Sequence, residues 1–302
     1  METAGNTQTS AVRVLIVDGH ALAYRMFHAL PGMRSPAGAP ANAIFGFIKN
    51  VRRAIQALQP THGAVVWDGG LSRERLALLP EYKGQRPPMP DDLRSQLTPI
   101  QQWVPLAGWK CLREEGVEAD DIIGTLARKC ECEGAEVLVM SPDKDFMQLV
   151  SERVHLWRVC GGSEERVTPE VVREKTGVRP DQIVDWLSLI GDASDNIAGA
   201  PGVGPKTASR LLVEFGTISA IFEKIALVKP GLREKLSGSR ELLERNRELV
   251  RLTMQPRYEL PLEELRLRAS DTGNEEKFLG EWGFKSLLRK PQGPPMIQAE
   301  LF

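Results

Sequence analysis

Three short, β-branched apolar runs each close on an acidic residue: VRVLIVD centred on residues 13–18, HGAVVWD over 62–68 and AEVLVMS over 135–141, the last followed by Asp143. Stretches of 3.6-residue periodicity lie between them, notably AIFGFIKNVRRAIQAL and ADDIIGTLARKC. Buried strands alternating with helices admit few architectures, and the pattern predicts an α/β fold with a mainly parallel central sheet flanked by helices. In such sheets ligands collect outside the carboxyl ends of the strands, where Asp18, Asp68 and Asp143 fall.

These three belong to a larger set of nine acids in five clusters: Asp18, Asp68, the group Glu118, Asp120 and Asp121, the pair Asp143 and Asp145, and the pair Asp192 and Asp195. Carboxylates converging from distant segments repel one another and take up protons unless cations neutralise them, so the set implies bound metal. Hard oxygen ligands without a matching histidine set point to Mg²⁺ or Mn²⁺ rather than zinc. Such a centre is suited to phosphodiester cleavage. The net charge of −1 argues against nucleic acid only on average, because removing the nine carboxylates leaves +8.

A chain of 302 residues can bury a full core, as one large domain or two of ordinary size. No run of about 18 apolar residues occurs, so no membrane span is expected. Four cysteines are too sparse for a disulfide scaffold, which predicts a reducing, cytoplasmic setting. The C-x-C pair Cys130 and Cys132 lies in a helical pattern without a second pair, so small, partly buried side chains are the simpler reading than structural zinc.

Residues 1–11 read as a disordered leader. The segment from about 71 to 100 is rich in Arg, Lys and Pro and longer than an ordinary connection; it reads either as a functional insertion with helical ends and a basic middle, or as a solvated loop. After residue 168 the pattern turns helical: TPEVVREKTG, DQIVDWLSLIGD and KTASRLLVEFG. Between the last two, Gly202 and Gly204 flank a valine ahead of a helix carrying Lys206 and Thr207 in its first turn. That arrangement suits one backbone phosphate but lacks the spacing of a nucleotide-binding loop. Residues 256–268 look extended, and EEKFLGEWGFKSLLRK reads as one amphipathic helix with Trp282, Phe284 and Leu287 as core contacts. Residues 291–302 form a Pro/Gly linker with an apolar tip.

Taken together, VDGHALAYRMFHAL, YKGQRPPMPDDLR, VEADDIIGTLA, SPDKDFMQLV and GDASDNIAGAPGVGPKTA resemble, in order and from about residue 12 to 290, the 5′ nuclease domain of bacterial DNA polymerase I and the related flap endonucleases. The resemblance implies a PIN-like core over 12–168 with a helical arch over about 71–100, and a helical DNA-binding region over 169–290 containing a helix-three-turn-helix. It also implies two divalent metals. Asp18, Asp68, Glu118, Asp120 and Asp143 would surround the first, and Asp145, Asp192 and Asp195 would serve the second with Asp121 nearby. Asp120 has the alternative of capping its helix, and Asp195 that of an Asx turn.

The same resemblance makes Lys83 and Arg86 the arch residues that polarise the phosphate. Tyr82 would orient the strand or simply pack; Tyr24 and Arg25 would lie near the scissile nucleotide, with Arg25 on phosphate or on one of the acids. The glycine turn would grip duplex DNA through its backbone, bridged by a monovalent cation such as K⁺. The implied activity is that of a monomeric 5′–3′ exonuclease and 5′-flap endonuclease on flaps, nicks and free 5′ ends, removing displaced DNA or RNA primers in replication and repair; the alternative is an inactive structure-specific scaffold at the replication clamp. Two departures stand out: IAGA at 197–200 lacks the proline of the family's IPGV, and Trp67 replaces the more usual Phe before the acid. The chain is expected to be a stand-alone nuclease, since it stops where a polymerase domain would begin. Its end, with Gln298, Leu301 and Phe302, resembles the peptide by which bacterial replication proteins bind the sliding clamp, with an incidental amphipathic tail as the alternative.

Overall fold

The computed structural model describes residues 12–160 and 163–288. The expected leader and the terminal stretch bearing Gln298, Leu301 and Phe302 lie outside the described residues. Six strands, β1 (Arg13–Asp18), β2 (His62–Trp67), β3 (Lys110–Arg113), β4 (Glu136–Met140), β5 (Val154–Cys160) and β6 (Ser163–Val167), form one sheet in the order β3-β2-β1-β4-β5-β6. The first five are parallel, and β6 runs antiparallel to β5.

The order reverses between β1 and β4, the kind of switch point that opens a crevice at the carboxyl ends of a parallel sheet. Around the sheet lie helices α1 (Gly19–Ala29), α2 (Asn42–Leu58), α3 (Arg73–Leu78), α4 (Asp91–Leu106) and α5 (Ala119–Cys132). Alternation along β1 decides which face each residue feeds: Val14 and Ile16 pack with Ile122, Ile123 and Leu126 of α5, whereas Leu15 and Val17 pack with Ile44 and Phe47 of α2 and Ile100 and Trp103 of α4. The start of α2 has no cap of its own. Gln96 from α4 supplies it, its Oε1 accepting from Ala43 N at 2.8 Å, so the two helices are pinned together.

The stretch expected as an arch comprises α3, a series of turns over 80–86 and the first part of α4, so its helical ends and basic middle are present. The middle is folded onto the rest of the chain: Lys83 N donates to Asp195 O at 3.0 Å and Asn196 Nδ2 to Glu81 O at 3.0 Å. Leu93, Ile100 and Trp103 anchor α4 in the core.

Beyond the sheet come α6 (Pro169–Thr176), α7 (Ile183–Ile190), α8 (Pro205–Phe215), α9 (Ile218–Glu223), α10 (Pro230–Ser237), α11 (Arg240–Val250), α12 (Thr272–Glu281) and α13 (Lys285–Leu288), with a small ribbon of β7 (Gly191–Asp192) and β8 (Ile197–Ala198) after α7.

Two expectations are corrected. Residues 256–268 are not an extended strand but two 3₁₀ turns, Pro256–Tyr258 and Leu262–Leu265, with a single bridge from Arg266 to His62; proline at 256 and 261 removes the ladder donors a strand needs. The final helix is two, because Gly283 adopts φ +75° between α12 and α13. The break drives Phe284 into the core, where it meets Phe45 at 5.3 Å.

Candidate metal centre and nucleic-acid interface

Asp18 ends β1 and starts α1, so one side chain serves both elements. Its Oδ1 accepts from Ala21 N at 3.0 Å and its Oδ2 from the Ser141 hydroxyl at 2.8 Å, which spans the crevice between β1 and β4. Burial pushes its pKa up to about 7 against the pull of those hydrogen bonds, and the charges of Asp68 and Asp143 add to the push. Asp68 follows β2 and reaches across to cap α5, its Oδ1 accepting from Ala119 N at 3.0 Å. Asp143 Oδ1 accepts from Asp145 N at 3.0 Å. Asp145 Oδ1 is buried without a hydrogen-bond partner, and burial followed by the charges of Asp143, Asp192 and Asp195 raises that carboxyl well above its ordinary range.

The adjacent acids of α5 part company, as consecutive helical residues must. Asp120 stands against Asp143, Asp18 and Asp68, and burial with the Asp143 charge raises it well above the carboxylate range despite Lys83. It is not the cap of α5, whose start falls at Glu118 and is closed by Asp68. Asp121, expected near the second metal, is turned away instead. Both its oxygens are held by the Arg75 guanidinium at 2.7 and 2.9 Å, and Thr253 N donates to Oδ1 at 2.8 Å, so the carboxylate is already committed to this pairing.

Cations already answer some of the remaining acids. Glu118 is buried, bonded to Lys83 Nζ, receives Ser72 N at 3.1 Å and lies 3.5 Å from Arg75; burial opposes its charge, but Lys83 and Arg75 hold its pKa below the usual range. Arg86 bonds Asp195 Oδ1 at 2.6 Å, and Lys144 lies 3.1 Å from Asp192. Tyr82 is buried with its hydroxyl 3.2 Å from both Glu118 and Asp195, so it packs and bridges the two clusters at once. The local Asx-type bond belongs to Asp192, whose Oδ1 accepts from Ser194 N at 2.9 Å, and not to Asp195.

On α1, Tyr24 is exposed and Arg25 has no hydrogen-bond or ion-pair partner among the described residues, so Arg25 is not paired with an acid. In the glycine turn Gly202 takes φ +75°, Gly204 is the unassisted start of α8, and Lys206 is exposed beside it with Thr207 in the same first turn. The leading amides of α8 therefore have no side-chain cap from Gly204.

Among the described residues no three His, Cys, Asp and Glu side chains are gathered closely enough to hold an ion as they stand. The donor set nonetheless fits a hard divalent cation: the lone buried oxygen of Asp145 and the charge crowding at Asp18 and Asp120 are what such an ion would relieve. Three contributors went unnoticed in the sequence: Arg75, Ser141 and His20. Arg75 is an arginine in a stretch full of arginines, Ser141 a small residue at a strand end, and His20 a solitary histidine; only the tertiary contacts separate them from their neighbours.

Residues 13–177 match the profile of the 5′–3′ exonuclease N-terminal resolvase-like domain, and residues 178–273 that of the 5′–3′ exonuclease C-terminal SAM fold. A 5′–3′ exonuclease of Aquifex aeolicus is 38% identical over 275 residues, covering 91% of this chain and 93% of that protein. The thermostable DNA polymerase I of Thermus aquaticus is 39% identical over 280 residues, 92% of this chain; the chain spans about a third of that protein's length, 33%. Among solved structures, T5 5′-exonuclease with bound divalent metal ions (zinc) superposes with a TM-score of 0.69 at 25% identity, over 82% of this chain and 91% of that one. The catalytic core of Rad2 in complex with DNA substrate gives 0.59 at 13% identity over 90% and 88%, a likeness of fold. No helix among the described residues is long and apolar enough to cross a membrane.

Proposed function

The chain belongs to the 5′–3′ exonuclease family, and on that premise we propose that it is a divalent-metal-dependent 5′–3′ exonuclease and 5′-flap endonuclease, acting as a monomer on DNA flaps, nicks and free 5′ ends and on RNA primers in replication and repair. The observation that carries the reading is the unanswered charge beside the strand ends: Asp145 Oδ1 is buried without a hydrogen-bond partner, and burial together with the charges of Asp143, Asp192 and Asp195 raises that carboxyl above its ordinary range. Bound metal in the T5 5′-exonuclease supports the same reading. The alternative of an inactive scaffold is set aside, since all nine acids and Lys83 are retained in a family of exonucleases.

Asp18, Asp68, Glu118, Asp120 and Asp143 would hold one ion, and Asp145, Asp192 and Asp195 a second, with Mg²⁺ the ordinary occupant and Mn²⁺ a substitute. Two such ions, when bound, supply an acidified water for attack and neutralise the leaving oxygen. Lys83 and Arg86 are the cations that now answer Glu118 and Asp195. Once those acids are otherwise neutralised, both side chains are free to donate to the scissile phosphate as its charge develops. Tyr82 holds the base of this cationic loop, while Tyr24 and Arg25 lie on α1 for the nucleotide beside the cut. An unpaired 5′ strand passes beneath the basic stretch, and selectivity for structure over sequence follows because backbone contacts carry no base information. Gly202, Gly204, Lys206 and Thr207 take the duplex backbone, with a monovalent ion such as K⁺ at that turn. Gln298, Leu301 and Phe302 dock the sliding clamp.

The test is incubation with a 5′-flap duplex in Mg²⁺ and in EDTA, beside Asp143→Ala and Lys83→Ala. Cleavage should require Mg²⁺ and be lost in Asp143→Ala. Cutting that survives EDTA or the Asp143 change removes the metal mechanism.

A further inference from the structure

The tryptophan that closes β2 has a job in the fold. Trp67 is fully buried at the end of β2, stacked on Phe47 at 5.8 Å, and it presses on the start of α1: a Cβ at Gly19 would lie 2.7 Å from the indole. The next residue of α1, His20, sets its ring against the same indole at 5.3 Å with the planes 78° apart. Fixed there, His20 Nδ1 accepts the backbone N–H of Asp68 at 3.0 Å. An imidazole nitrogen can accept only if it carries no proton, so the ring is neutral with its hydrogen on Nε2.

Asp68 is thereby held at three points by three elements. Its N–H goes to His20 on α1, its C=O accepts from Arg113 Nε at 3.0 Å at the end of β3, and its carboxylate Oδ1 accepts from Ala119 N at 3.0 Å on α5. The second carboxylate oxygen accepts no hydrogen bond and is the one most open to a cation. We infer that His20, braced by Trp67, is a positioning residue for the Asp68 carboxylate, fixing the peptide from which that oxygen is presented to the divalent ion. The inference rests on the metal-dependent reading above. Partners that orient a ligand are worth about 10–100-fold in metal affinity or activity, and a displacement of about 1 Å at a reacting centre costs similar amounts.

Three substitutions in the full chain separate hydrogen bond from bulk. In His20→Asn the side-chain Oδ1 takes the topological place of Nδ1; His20→Gln carries its oxygen one bond further out; His20→Leu keeps an apolar side chain without an acceptor. The measurements are kcat and KM on a 5′-flap duplex, and, without DNA, the Mn²⁺ concentration that half-saturates the rise in unfolding temperature. His20→Leu is expected to lower kcat about 10–100-fold with KM changed less than about twofold, and to raise the Mn²⁺ half-point about fivefold or more. His20→Asn should return both values to within about threefold of the parent, while His20→Gln follows His20→Leu. Parent-like values in His20→Leu overturn the inference, as does equal recovery by Asn and Gln, which would leave ring packing alone. If His20→Leu fails to fold, the Asn and Gln pair still decides. A parent protein that cuts no flap defeats the functional reading, yet the order of the Mn²⁺ half-points continues to test the positioning of Asp68.

Discussion

The strand ends and the helical region beyond β6 both bury polar groups, but they treat them in opposite ways. In the helical region Asn246 is fully buried and its Nδ2 donates to Ser188 O at 3.0 Å and Ala198 O at 2.8 Å, tying α11 to α7 and the β7–β8 ribbon. Gln182 donates to Leu212 O and Gly216 O, both at 2.9 Å, closing the end of α8. Asp185 accepts from Ile218 N at 2.8 Å and forms an ion pair with Arg247, 2.8 Å from its Nε. At the strand ends, by contrast, like charges face one another and Asp145 Oδ1 faces nothing. Neither burial of a polar side chain nor one unpartnered atom marks a site in this molecule, since Arg245 Nε and Arg247 Nε of α11 also lack a hydrogen-bond partner; what sets the strand ends apart is an unpartnered carboxylate oxygen among like charges.

The sharpest way to break that contrast is Asp145→Asn. Cleavage should fall on the order of 10³-fold. The metal-free protein should meanwhile unfold at a higher temperature, by roughly 1 kcal/mol of added stability, because a crowded charge is gone. A lower unfolding temperature would mean that Asp145 is satisfied in the folded state and the comparison is misdrawn. Next comes Arg75→Met, at the seam between the two regions. Arg75 binds Asp121 through two nitrogens and also donates to Leu249 O at 3.0 Å and Arg251 O at 3.1 Å, joining α3 and α5 to the end of α11. Removing one partner from such a buried pair costs about 3–5 kcal/mol, read in chemical denaturation. If activity disappeared with no loss of stability, Arg75 would belong to the reaction and not to the seam. Smaller is Asn246→Ala, expected to cost about 1–3 kcal/mol while leaving kcat on a flap unchanged where the protein is folded. A drop in kcat there would erase the distinction between the regions.

How far the sequence reached follows the same division. Strands β1, β2 and β4 were legible because they are buried on both faces and read as unbroken apolar runs. The edge strands β3, KCLR, and β6, SEERV, are half exposed and carry no such run, so pattern reading passed over them. The amphipathic helices α2, α5 and α8 announced themselves by period. Asp18, Asp68 and Asp143 were legible by place, as acids at strand ends. The engagement of Asp121 was not: it and Asp120 are neighbours of the same type that differ only in which way a helix turns them, and Arg75 lies 46 positions from Asp121. His20 was invisible for the same reason, since its partner Asp68 is 48 residues away.

The smallest effects should come from the glycine turn, where the helical region meets its ligand. Gly202 and Gly204 look equivalent in the sequence and are not in the structure. Gly202 takes φ +75°, and a Cβ there would stand 2.9 Å from Lys235 Nζ, the movable tip of a long side chain. Gly202→Ala should therefore cost about 1 kcal/mol of stability from backbone conformation alone. Gly204 has φ −91° and open space where a Cβ would point, so Gly204→Ala should leave the unfolding temperature unchanged. If duplex phosphate approaches the leading amides of α8, the added methyl meets the ligand instead, and affinity for duplex DNA in Ca²⁺ or EDTA should fall about three- to tenfold, on the order of 1 kcal/mol. Unchanged affinity in Gly204→Ala would show that the backbone here is not what the duplex touches. Loss of affinity in Gly202→Ala alone would then trace to the shape of the turn, making this end of the molecule as purely structural as Asn246.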